Sequence, residues 1–139
     1  MKPSLFVDTN FFCALYNDND AHYSKAEVIA TRLNDFRLIT SNFVLLETYT
    51  ILSQRASKRE AVAFGELLKK DSPYAIYWIT KEFEEEVWKI FISIKDKNFS
   101  YVDASILAVL KIEKISYLLS FDAGFAQFQK TFGFTLIPA

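Results

Sequence analysis

Short runs of apolar, β-branched and aromatic residues alternate along this chain with stretches in which apolar positions recur every three or four residues. The runs lie at 4–7, 37–40, 74–79, 116–120 and 134–137, and their composition and length predict strands. Between them, Phe83, Val87, Ile90, Phe91 and Ile94 share one face of a helix predicted over 81–96, with Thr80 as its N-cap. Residues 43–55 and 59–70 read as two further helices and 21–34 as another. Residues 103–113 read as a short, mostly apolar helix buried between layers. Strands separated by helices predict an α/β fold, a three-layer α/β/α sandwich around a central parallel sheet of about five strands.

No repeat, low-complexity tract or Pro/Gly-rich linker interrupts this alternation; the glycines are Gly65, Gly124 and Gly133. Residues 1–139 are therefore expected to form a single domain, which at this length buries about two-thirds of the surface of its unfolded chain. With 51% apolar and 17% aromatic residues, burial can offset chain entropy, which excludes a disordered chain. No apolar run approaches the roughly 18 residues of a membrane-spanning helix. Asp8 follows only three apolar residues, which does not fit a secretory signal. The lone Cys13 allows no internal disulfide and fits a reducing cytoplasm. It reads as a small packed residue beside Phe11, Phe12 and Leu15.

Four acids stand where strands and helices should meet. Asp8 follows the run Leu5-Phe6-Val7, and Asp122 follows Tyr117-Leu118-Leu119-Ser120-Phe121. Asp103 opens a helix-like stretch, and Glu47 interrupts one, at the margin of the stripe Val44, Leu45, Thr48, Ile51 and Leu52. Singly, the three aspartates read as helix N-caps. Glu47 is harder to place, because a carboxylate at the edge of a packed stripe needs a partner, and no Lys or Arg lies one turn away. In a parallel sheet, ligands bind beyond the carboxyl ends of the strands, where Asp8 and Asp122 are expected. Gathered at about 6 Å in an effective dielectric near 20, four carboxylates repel by on the order of 17 kcal/mol over their six pairs. That exceeds the ~5–15 kcal/mol by which domains are stable. A divalent cation relieves the repulsion with the acids still ionised, and an all-oxygen set favours Mg²⁺ or Mn²⁺ over zinc. The single His22 reads as a surface or capping residue, and Glu84-Glu85-Glu86 as a solvated face near a helix N-terminus.

Charge changes the picture slightly. The net charge is −1, but setting the four acids aside leaves 13 against 16 basic residues, a balance of +3, which suits an acidic pocket facing a polyanion. Arg55, Lys58 and Arg59, and the pair Lys69 and Lys70, read as solvated helix faces, so no residue is assigned to contact a polyanion.

With these residues in hand, the chain resembles the PIN domain family, small metal-dependent nucleases that include the VapC toxins. Phe6-Val7-Asp8-Thr9-Asn10 is similar to the family's opening strand and first acid, and Leu46-Glu47 to its second. Ser100-Tyr101-Val102-Asp103-Ala104 is similar to the third motif, and Leu119-Ser120-Phe121-Asp122-Ala123-Gly124-Phe125 to the last. The family often carries Thr/Ser and a basic residue before its last acid; here Phe121 precedes Asp122, and Ser120 supplies the hydroxyl. The resemblance implies Mg²⁺- or Mn²⁺-dependent cleavage of RNA phosphodiester bonds, by the toxin half of a type II toxin–antitoxin pair. It implies Asp8, Asp103 and Asp122 as metal ligands and Glu47 as a further catalytic acid, with Thr9 and Ser120 orienting carboxylates. It also implies a homodimer held inactive by an antitoxin protein covering the acidic pocket.

Other readings compete. An aspartate-based phosphatase needs a second Asp two residues after the first, where this chain has Asn10, and a phospho-receiver needs an acidic pair beside its first strand. Neither G-x-G-x-x-G nor G-x-x-x-x-G-K is present for nucleotide binding. The non-enzymatic alternative is a catalytically silent PIN-like RNA-binding or interaction module.

Overall fold

Strand β1 (Ser4–Val7) is buried at all four positions, as a strand covered on both faces must be. In this computed structural model, in which residues 1–138 are described, four more strands join it. They are β2 (Arg37–Ser41), β3 (Ala75–Tyr77), β4 (Tyr117–Leu119) and β5 (Thr135–Ile137). All pair in parallel, in the order β3-β2-β1-β4-β5. The helices are α1 (Thr9–Leu15), α2 (Tyr23–Ala30), α3 (Asn42–Arg55), α4 (Lys58–Lys69), α5 (Glu84–Ser93), α6 (Tyr101–Ile112) and α7 (Gln129–Phe132). Two 3-10 segments, Leu33–Asp35 and Ala123–Phe128, complete the elements. The architecture is the three-layer α/β/α sandwich expected from the alternation of patterns.

Strand order places the site. From β1 the chain builds outward through β2 to β3, then returns to lay β4 on the other side of β1. The connections after β1 and β4 therefore leave in different directions, opening a crevice beyond their carboxyl ends. The register puts Val7 opposite Leu119, so the next residues, Asp8 and Ser120, arrive side by side.

Three helices differ from the sequence expectation, each for a local reason. Helix α6 begins at Tyr101, two residues before the predicted start. The Ser100 Oγ accepts the Asp103 N–H (3.0 Å) and the Asp103 carboxylate accepts the Ser100 N–H (2.9 Å), a reciprocal capping box. Asp103 is thus the third residue of the helix and not its N-cap. The expected helix over 21–34 shrinks to α2 and a 3-10 turn. Asp20 accepts the His22 N–H (2.8 Å) and delays its start, while Thr31 and Arg32 bond back to Val28 and Ile29 and tighten its end. The helix expected over 81–96 is regular only over α5. Thr80 caps the preceding turn through the Phe83 N–H (3.2 Å), and Ile94 is already extended.

Packing follows from composition. Ala104 through Leu110 of α6 are all buried, as predicted for a helix between layers. Phe6, Phe11, Phe12, Phe64 and Phe125 fill the core, each stabilising the fold by about 1.5–3 kcal/mol. Gly133 ends α7 at φ +71°, a conformation that suits glycine, and the N–H groups of Gly133 and Phe134 both bond the Gln129 carbonyl.

Asn42, the first residue of α3, ties down the chain beyond β3. Its Oδ1 accepts the Ile79 N–H (2.7 Å) and its Nδ2 donates to the Ile79 carbonyl (3.3 Å). Asn42→Ala should cost about 1–3 kcal/mol, read as a lower urea midpoint with an unchanged m value. An unchanged midpoint would show that this clamp contributes nothing.

Candidate active site

Asp8 leaves β1 straight into the crevice, and its carboxylate is almost fully held by the protein. Its residue is 5% exposed. Oδ1 accepts the Thr9 N–H (2.6 Å), and Oδ2 accepts the Ser120 hydroxyl (2.8 Å) and, more loosely, the Asn10 amide (3.4 Å). Ser120 is saturated as well. It donates to Asp8 and accepts from Asn10 Nδ2 (3.0 Å) and the Asp122 N–H (3.1 Å), using its one donor and both lone pairs. Asn10 closes the circuit by accepting the Phe121 N–H (2.9 Å). Residues 112 positions apart are thereby locked into one network.

The other acids line the same open cleft, of about 290 Å³. Glu47 comes from α3 and Asp103 from α6, both half-buried, whereas Asp122 is exposed at the start of the last 3-10 segment. Capping and facing the cleft turn out to be compatible. Asp8 caps α1, Asp122 caps its segment through the Gly124 N–H (2.8 Å), and Asp103 caps α6 through one oxygen. Each bond fixes a rotamer and leaves oxygen lone pairs for something else.

Electrostatics marks Asp8 as the costly group. Burial raises its carboxyl pKa to about 7, the Ser120 and Thr9 bonds oppose that rise, and the charges of Asp103 and Glu47 add to it. Burial likewise raises Asp103, against the Ser100 bonds and with the charges of Asp122 and Glu47. Cys13, at the same cleft, is pushed up to about 12 by burial and then by Glu47. Its thiol stays protonated, in keeping with a packed residue.

The two expected orienting hydroxyls part company. Ser120 holds Asp8 as anticipated. The Thr9 hydroxyl does not: it is buried with no hydrogen-bond partner among the described residues, and only the Thr9 backbone reaches Asp8. Sequence reasoning passed over Asn10, weighed only as a missing aspartate, although its place in Asp8-Thr9-Asn10 was the available signal. It also missed Asp20, a fifth carboxylate on the cleft. His22 makes no side-chain cap and lines the cleft, stacked on Phe121 (4.5 Å, 10°). Arg55 lines it too, while Lys58, Arg59, Lys69 and Lys70 are exposed outside it.

The donor set fits a hard divalent cation. It is all oxygen, it is acidic, and the unpartnered Thr9 hydroxyl beside Asp8 asks for a water or ion-bound ligand. Among the described residues, no three His, Cys, Asp or Glu side chains are grouped tightly enough to clasp an ion by themselves. Waters would complete the shell.

Comparison with known proteins places this geometry. The family model for the PIN domain matches residues 5–130. The chain belongs to the PIN domain family. This PIN domain is 32% identical over 122 residues to the 23S rRNA-specific endonuclease VapC20 of Mycobacterium tuberculosis, covering 88% of this chain and 92% of that protein. The crystal structure of VapC20 from the same organism, described as a sarcin–ricin loop cleaving toxin, superposes with a TM-score of 0.80 at 31% identity. That match covers 89% of this chain and 94% of the other. Nucleases of the PIN family generally depend on a divalent metal. No helix among the described residues of this PIN domain is long and apolar enough to cross a membrane.

The raised Asp8 pKa sets a pH dependence. A carboxyl that binds its proton more tightly when folded supports the fold at low pH, and that support is lost as pH rises from about 4 to about 7. Metal-free protein should therefore lose up to about 4 kcal/mol across this window through Asp8 alone. Asp8→Asn should remove that part of the slope, and Mg²⁺ should raise the Tm of the native chain most at the alkaline end. Thermal melts in chelator and in Mg²⁺ measure both; a slope identical in the native chain and Asp8→Asn would contradict the assignment.

Proposed function

We propose that this chain, acting as one nuclease domain over residues 1–139, is a Mg²⁺- or Mn²⁺-dependent endoribonuclease and the toxin of a type II toxin–antitoxin pair. The observation that carries the reading is Asp8: a carboxylate buried at a strand end, raised toward neutrality, in a cleft lined by Glu47, Asp103 and Asp122. Asp8, Asp103 and Asp122 would hold the metal, partly through waters, with Glu47 as an inner or water-bridging acid. Bound there, a divalent ion supplies Lewis-acid polarisation of a phosphoryl oxygen and lowers the pKa of a bound water.

The chain's own residues do the rest. Ser120 and Asn10 hold the Asp8 carboxylate in one orientation, and the capping box does the same for Asp103. Arg55, a cation on the cleft wall, is suited to a substrate phosphate. The action of VapC20 on 23S rRNA makes ribosomal RNA the first substrate to test. Exposed apolar residues, Leu46, Trp78 and Trp88 among them, offer surface to an antitoxin and to a second copy in a homodimer. The enzymatic reading is preferred to the silent-module alternative because all four acids are present and line one cleft.

Asp8→Asn and Asp103→Asn should each lower kcat/KM for Mg²⁺-dependent RNA cleavage by more than about a hundredfold, beyond the ~10–100-fold typical of groups that only orient ligands. Cooperative unfolding should be retained. Cleavage surviving in the double variant, free of contaminating nuclease, would end this reading. Ser120→Ala should be milder, about tenfold, and should move the acid limb of the pH–rate profile upward, because Asp8 loses a bond that favours its charged form. A profile that stays in place would deny Ser120 that role.

A further inference from the structure

A second cavity, of about 350 Å³, opens on the other side of Asp103 and Asp122, which line both it and the acidic cleft. Its volume falls within the ~300–1,000 Å³ of small-ligand sites, and Phe99, Phe125 and Phe128 stand in its otherwise mainly polar wall. Phe99 meets Phe128 at 5.3 Å and 55° and Phe125 at 6.4 Å and 67°. These inclined contacts brace each ring against the next. Asn98 and Gln127 set amides around it, and Lys95 adds a cation. The Gln127 amide donates to the Gly124 carbonyl (3.1 Å), which leaves its oxygen as an acceptor.

We infer that this cavity receives an unpaired nucleobase of the RNA strand, next to the acidic cleft where a cation would hold the adjoining phosphodiester. The inference deepens the nuclease reading and depends on it only for that neighbouring phosphate. An unpaired base has apolar faces and a hydrogen-bonding edge, and the cavity offers rings and amides to match. An apolar peptide side chain would cover the rings but leave the amides unpaired. The site would thus help select where along an RNA the chain cuts, by requiring a base that can leave its stack.

The test is binding, separate from turnover. The Asp8→Asn chain, in Mg²⁺, is titrated into short single-stranded RNAs carrying one 2-aminopurine at successive positions. One position should be quenched, and adding Phe99→Ala should abolish that quench and weaken binding about tenfold. Gln127→Ile, at an exposed position, removes the amide that would meet the base edge at similar side-chain size, and should weaken the quench and binding if Phe99→Ala fails to fold. A quench unaffected by Gln127→Ile, or no quenched position at all, would overturn the inference. So would pocket variants that bind RNA normally yet escape inhibition by the antitoxin, which would assign the cavity to a protein segment. If native protein cleaves RNA while the cavity variants change nothing, the cavity proposal alone fails. If a cavity-dependent quench appears with RNA that the native protein never cleaves, the nuclease reading alone fails.

Discussion

A carboxylate with almost no access to water, at the head of the central strand, is the constraint around which the molecule is arranged. Burial disfavours the charged form of Asp8, and an apolar residue of similar size would sit there more comfortably. The chain answers with a saturated network of Ser120, Asn10 and backbone N–H groups, which limits the cost without removing it. The neighbouring Asp103 and Glu47 charges work against that network. Folding alone would not gather such charges, so the arrangement makes physical sense as a receptor for positive charge.

The other acids reach the cleft through ordinary helix chemistry. Asp103 bonds the start of α6 and Asp122 bonds its 3-10 segment, so the features that terminate helices also aim the carboxylates. Each side chain is held before any ligand arrives. Little conformational entropy then remains to be lost on binding, which is the sense in which the site is preorganised. Glu47 is the exception, carried on a long α3 whose buried stripe of Val44, Thr48 and Leu52 positions it without any hydrogen bond of its own.

The fold, and the placing of four acids along one cleft, were legible because they follow from pattern. Leu5-Phe6-Val7 before Asp8, and Leu118-Leu119 before Ser120, mark strand ends in the sequence itself, and the parallel register does the rest. Three kinds of detail were not legible. Helix ends at Asp103, at Thr31 and at Thr80 depend on local side-chain bonds that compete with periodicity. Thr9 and Ser120 look equivalent as letters, yet only the one whose hydroxyl meets Asp8 across the sheet does the work expected of both. Asp20, His22 and Arg55 reach the cleft from a turn and two helix ends, and nothing in their immediate sequence announces which way those elements face.

The join between β1 and β4 also has a biosynthetic consequence. Asp8 is made early, but its partner hydroxyl and the last acid lie 112 and 114 residues further on. A polypeptide interrupted before β4 has neither Ser120 nor Asp122, and no strand to complete the crevice. Such a product carries isolated acids without an assembled centre, so an aborted translation event yields no cleft in which they could act together.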